Sequence, residues 1–397
     1  MSRVFLIPGF FGFASFGELS YFAHVKDLLA RALAERGLDA EVIPVPTLPT
    51  ASVPARAARL LATVSEMSRG DDRPIHLIGH SSGGLDARLF AAPNVTLPTD
   101  IPLEPFASRV RSVVTVSTPH RGAPVSRVFS GLLGKSMLAV FSLATMYMLR
   151  FGRIPLVVLA KLIGIYARLD DLVFLNETVL DQLYRQLLSD FSPERQYEIE
   201  RFFSEVGVDQ SLLDQLLPEN MEVFNASVAD RPGVFYGSVV ARGRRPGLTS
   251  TLSAGLDPYA QTTHALYTGL WTMSSLLPSR FVRDLSTQQI SRLTSVFEEQ
   301  PTSTESDGVV PTLSQPYGEV IGCASADHLD LIGHFEDPAS NPPHYDWLAS
   351  GSGFRRQEFE RLWSIVADAL VADAHVAPSS EVASSSEASS SDVNDVQ

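Results

Sequence analysis

The sequence predicts an α/β fold, a mostly parallel sheet with helices on both faces and an inserted helical cap. Three observations carry that expectation. Short apolar runs alternate with helical repeats over residues 1–124, the alternation stops across 125–232, and it resumes over 233–375. Strands alternating with helices pair in parallel, because each crossover packs back onto the sheet.

The elements follow in order. Residues 4–7 form a run of β-branched and aromatic character ending at Pro8-Gly9, and so a first strand. Helical spacing over 22–35 ends at Gly37. A second strand is expected over 41–46, a helix over 54–67, and a third strand over 75–79. A turn at Ser81 and a helix through 86–90 come next, then a valine-rich strand over 109–117. From about 125 to 230 only helical patterns appear, rich in Leu, Met and Phe, with Phe141, Met146 and Met148 among the candidates to line an apolar pocket. Strands return at 234–241 and 320–324, and an amphipathic helix carries Phe359, Leu362, Trp363, Val366 and Leu370 on one side. The Ser/Glu-rich tail over 376–397 contains no Lys or Arg and too little apolar surface to offset its ordering entropy, so it reads as disordered.

Composition narrows the function. A 45% hydrophobic chain of 397 residues with 22 Phe and 10 Tyr can bury a sizeable core. Its net charge of −14 argues against a nucleic-acid partner, whose binding needs clustered Lys and Arg. One cysteine, Cys323, precludes an intrachain disulfide, and no secretory signal precedes the first strand, so a cytoplasmic protein is expected. The apolar runs at 137–149 and 154–166 are shorter than the ~20 residues that span a bilayer, so no transmembrane helix is expected.

The motif that carries chemistry is Gly79-His80-Ser81-Ser82-Gly83-Gly84. It fits the G-x-S-x-G pattern, with a buried strand running into it and a helix leaving it, the arrangement that lifts a nucleophilic serine above an α/β-hydrolase sheet. Together with Pro8-Gly9-Phe10-Phe11-Gly12-Phe13 and Ser117-Thr118-Pro119-His120-Arg121-Gly122-Ala123, it resembles the signatures of bacterial triacylglycerol lipases and related esterases. The likeness spans roughly residues 3–125 and 305–335, and the cap between them matches nothing familiar.

A serine nucleophile needs a histidine base oriented by a carboxylate, in the chain order Ser, acid, His for this fold. His264, His328, His334 and His344 satisfy the order. His328, in Ala326-Asp327-His328-Leu329-Asp330, follows a strand and is favoured over His334, and the resemblance implies the same histidine. Asp307 in Ser306-Asp307-Gly308 is the expected acid, with Asp257 in Leu256-Asp257-Pro258 as its competitor. The oxyanion hole is expected from the backbone N–H groups of Ser82 and Phe10, although Pro8 stands where the family has a histidine. The resemblance also implies a structural calcium through Asp257 and Asp330. Two carboxylates fall short of the six to eight oxygens calcium wants, so no metal is assigned. The chemistry itself requires no cofactor.

These residues predict a carboxylic-ester hydrolase acting on apolar acyl esters through an acyl-enzyme, with transient lipid contact through the cap. An acyltransferase, thioesterase or polyester hydrolase could use the same residues. A non-catalytic lipid-binding protein of the same fold is the rival from another class.

Overall fold

A computed structural model of the chain describes residues 1–10, 15–16, 19–22, 24–129, 140, 143–144, 146–147, 151, 154–166, 177–206, 209, 211–275, 277, 285–339, 344–346 and 348–375. Six strands form one sheet: β1 (Ser2–Ile7), β2 (Ala40–Pro44), β3 (Ile75–His80), β4 (Val110–Val116), β5 (Phe235–Ala241) and β6 (Glu319–Ala324). Their order is β2-β1-β3-β4-β5-β6, and every pairing is parallel.

Alternating side chains of these strands feed two cores, one on each face. Val4, Leu6, Ile78 and Val114 meet α1 (Val25–Glu35) and the C-terminal helix Arg356–His375 through Leu29, Leu33, Phe359 and Trp363. Phe5, Ile7, Leu77 and Val113 face the other way, onto α2 (Val53–Met67) and α3 (Gly83–Ala91) through Leu60, Leu61, Leu85 and Phe90. Because both faces are covered, the strands are apolar on both sides of the sheet rather than on alternate positions alone.

Between β4 and β5 the described residues carry helices and no strand. Glu177–Leu188 and Pro193–Val206 lie there, and Leu183, Leu187 and Ile199 share a core with Tyr267, Leu270 and Trp271 of the later helix Pro258–Ser274. Met146 is buried in that core, whereas Phe141 and Met148 lie outside the described residues. The apolar run at 137–149 also lies largely outside them, as does the tail at 376–397. The run at 154–166 forms the helix Leu156–Tyr166, and no described helix is long and apolar enough to cross a membrane.

Strand ends fall within one or two residues of expectation. The first helix begins at Val25 rather than 22, because His24 adopts a left-handed conformation (φ 64) at its N-cap. Pro258–Ser274 and Thr287–Phe297 are helices that the sequence reading did not anticipate.

Candidate active site

The order in which strands are added reverses at β1. From there the sheet grows to β2 on one side and to β3 and onward on the other. Loops leaving the carboxyl ends of β1 and β3 therefore diverge, and ligands of open α/β sheets bind in the crevice between them. Gly9 and Phe10 open the first loop, and Ser81 begins the second.

Ser81 is held at φ 54, a left-handed conformation costing about 1–3 kcal/mol for a residue with a side chain. Its N–H donates to Val116 O at 2.9 Å and its carbonyl accepts from Gly84 N at 3.1 Å. The strain projects the side chain off the strand end and turns the chain at once into α3, whose first N–H groups favour developing negative charge. Gly9 has to be glycine for this contact. A Cβ there would overlap the Ser81 Cβ and stand 3.0 Å from its Oγ.

The expected base and acid are joined. His328 Nδ1 lies 2.8 Å from Asp307 Oδ2, with the Asp307 side chain fully buried. Asp307 is fixed by further donors: Val309 N at 2.9 Å and Val310 N at 2.7 Å on Oδ1, and Gln315 Nε2 at 3.2 Å on Oδ2. His328 N also donates to Asp307 O at 2.9 Å. Since a carboxylate can only accept, the proton of a neutral His328 sits on Nδ1 and leaves a lone pair on Nε2. The other candidates are engaged elsewhere: His334 Nε2 donates to Tyr21 O at 2.9 Å, and His264 Nδ1 to Ala349 O at 2.8 Å. Burial depresses His334 to about 3. Asp257, the competing acid, caps the helix Pro258–Ser274 by accepting from Tyr259 N and Ala260 N.

Sequence reasoning missed four residues that brace this arrangement. His80 Nε2 donates to His328 O at 2.9 Å, so its Nδ1 must accept, and it does so from Tyr21 Oη at 2.7 Å. Tyr21 Oη in turn accepts from Gly9 N at 3.1 Å. One directed chain of hydrogen bonds thus runs from the Gly9 loop through Tyr21 and His80 to the His328 backbone. Burial holds His80 well below its usual value and pushes Tyr21 up, so both stay neutral. Arg56, paired with Asp86 in a fully buried ion pair at 2.8 Å, donates from Nη2 to Pro8 O at 2.8 Å and from Nη1 to Leu48 O at 2.6 Å. Gln315 spans Asp307 and the end of β5, accepting from Ala241 N at 2.7 Å. Only His80 gave a signal, as the variable residue of the serine motif.

No protein-family model and no curated protein matches this sequence. Solved structures do match. Lipase 1 from Pelosinus fermentans is similar at TM-score 0.50 and 16% identity, covering 93% of this chain and 98% of that one. EstA from Clostridium botulinum is 19% identical over 89% and 86% of the two chains, with TM-score 0.47. The lipase of Staphylococcus hyicus is 16% identical over 94% and 96%, with TM-score 0.45. The chain has the α/β-hydrolase fold. At these identities the likeness is one of fold.

The loop bearing His328 also lies beside a cluster of carboxylates. Oxygens of Asp327, Asp330 and Asp346 lie within 4.8 Å of one another. Asp330 therefore converges with Asp327 and Asp346. With Asp330 and Asp346, Asp257 lines a cavity of about 470 Å³, but it is committed to its helix cap. Burial, followed by the neighbouring carboxylates, holds all three well above the usual carboxylate range. Asp327 Oδ2 is buried without a hydrogen-bond partner. Three hard oxygen ligands with an orphaned member fit a divalent cation such as calcium.

Proposed function

We propose that this protein hydrolyses carboxylic esters of apolar acyl groups through an acyl-enzyme on Ser81. The observation that carries this reading is the 2.8 Å bond between His328 Nδ1 and a buried Asp307, on loops that meet the strained Ser81 turn through His80. Ser81 Oγ attacks the ester carbonyl while His328 Nε2 takes its proton. Asp307 keeps the imidazole in that tautomer and stabilises the imidazolium. The N–H groups of Phe10 and Ser82 face the oxyanion, and the alkoxide leaves with the proton from His328. Water, deprotonated by the same nitrogen, then cleaves the acyl-serine.

The apolar substrate class rests on what surrounds the site. Phe10, Val309 and Leu329 pack, half-buried, against the core shared by the insertion and the helix Pro258–Ser274. Residues 125–232 serve as a helical cap in this reading. Asp327, Asp330 and Asp346 would hold a calcium ion, which would neutralise charge beside the His328 loop and would take no part in the chemistry.

Ser81→Ala should abolish p-nitrophenyl ester turnover with an unchanged unfolding transition. Retained turnover would overturn the proposal. An ester chain-length series with added alcohol acceptors separates hydrolysis from acyl transfer.

A further inference from the structure

Three leucines stand almost fully in solvent on the segment that leaves β5. Leu248 is 85% exposed, Leu252 66% and Leu256 80%. A single exposed leucine is ordinary, but three within nine residues form a patch. Leu248 and Leu252 lie one turn apart on the short helix Leu248–Ser253 and so share a face, and Leu256 follows just past its end. The segment starts at the carboxyl end of β5, so it belongs to the same edge of the parallel sheet as Ser81.

Charge identifies what would cover it. From Arg242 to Leu256 the chain carries three arginines and no acidic residue, within a protein of net charge −14. Arg242 is engaged by Glu299 and Glu305, at 3.5 and 3.6 Å. Arg244 Nη1 holds the patch in shape through Ser253 Oγ at 2.8 Å and Gly351 O at 3.2 Å, and its charge has no carboxylate partner among the described residues. Arg245 is exposed and likewise makes no ion pair there. The nearest acid in sequence is Asp257, whose carboxylate caps the next helix. An apolar tip flanked by two unneutralised guanidinium groups matches the boundary between headgroups and acyl chains of an anionic lipid layer.

We infer that Leu248, Leu252 and Leu256, with Arg244 and Arg245, dock this protein onto anionic lipid surfaces, with the Ser81 edge of the sheet turned toward the lipid. The expected lipid contact thereby lies on the segment after β5 rather than on the cap. The inference deepens the ester-hydrolase reading and rests on it for the lipid's role as a source of substrate.

The test is flotation of the full chain with vesicles of phosphatidylcholine alone or mixed four to one with phosphatidylglycerol. Wild type should float with the anionic vesicles. L248S/L252S/L256S should lose about tenfold or more in partition, and Arg245→Gln about fivefold on the anionic vesicles alone. Turnover of soluble p-nitrophenyl acetate should be unchanged in both variants. Equal partition of the triple variant and wild type, or wild type that floats with neither vesicle, overturns the inference. So does a wild-type dimer that the leucine substitutions dissociate, because a second copy would then cover the patch. Leucine-dependent flotation without Ser81-dependent turnover would overturn the hydrolase reading and leave the docking surface standing.

Discussion

Tyr21→Phe removes one oxygen and two hydrogen bonds while leaving the ring in place. The lost oxygen is the one that accepts from Gly9 N at 3.1 Å and donates to His80 Nδ1 at 2.7 Å. Tyr21 and His80 are both buried, so water cannot readily replace either partner. A buried donor or acceptor left unsatisfied costs about 1–3 kcal/mol, so the two together should lower unfolding free energy by roughly 2–6 kcal/mol, read from guanidinium titrations. The kinetic effect should fall on kcat. Gly9 precedes the proposed oxyanion donor Phe10, and His80 supports the backbone of His328, so the interactions that weaken are those formed in the transition state. With p-nitrophenyl butyrate, kcat should drop about 10- to 100-fold and KM change less than about twofold. Burial keeps His80 and Tyr21 neutral, so the network does not titrate in the working range and the acidic limb of the pH profile should overlay that of wild type. A variant with wild-type kcat and a stability loss below about 0.5 kcal/mol would refute this account of the network.

Two other perturbations test neighbouring features. Gly9→Ala places a methyl group against Ser81, and fluorophosphonate labelling of the serine should slow on the order of 10²-fold, the effect of displacing a reacting group by about 1 Å; unchanged labelling would show that the loop yields freely. The Asp327, Asp330 and Asp346 carboxyls are raised, so the folded chain holds protons that the unfolded chain has released, and stability should fall as pH climbs above about 4. Millimolar calcium should therefore raise the melting temperature more at pH 8 than at pH 5, and Asp346→Asn should flatten the pH slope and remove the calcium response. Identical wild-type melting at pH 8 with and without calcium would exclude the cation site.

Much of the sheet was legible because its strands are buried on both faces. Runs such as Val4-Phe5-Leu6-Ile7 are continuous in apolar character, and the serine turn follows a strand and opens a helix as its pattern requires. Asp257-Pro258 carried the start signal of the helix Pro258–Ser274, an N-cap aspartate with proline at the first turn. The same dipeptide also suits a carboxylate held at a turn, so the signal is ambiguous in sequence. The polar bracing was not legible at all. Tyr21 meets His80 across 59 positions, and His80 meets His328 across 248, so neither pairing leaves a local periodicity. Gln315 likewise reads as an unremarkable loop residue until its amide is seen between Asp307 and Ala241. Asp330 is legible as an implied calcium ligand, but Asp327 reads only as the setting of His328, and the third carboxylate, Asp346, lies on a later segment.

That span of 248 positions between His80 and His328 also orders events in time. During synthesis the strained serine turn, with β1, β3 and β4 around it, emerges long before Asp307 and His328. On the proposed reading, the half-made chain would carry a serine hydroxyl with no base to activate it and would stay inert toward esters it meets. Reactivity would then begin only once β6 pairs at the edge of the sheet and brings the histidine loop, which Trp363 Nε1 holds through Leu331 O at 2.9 Å.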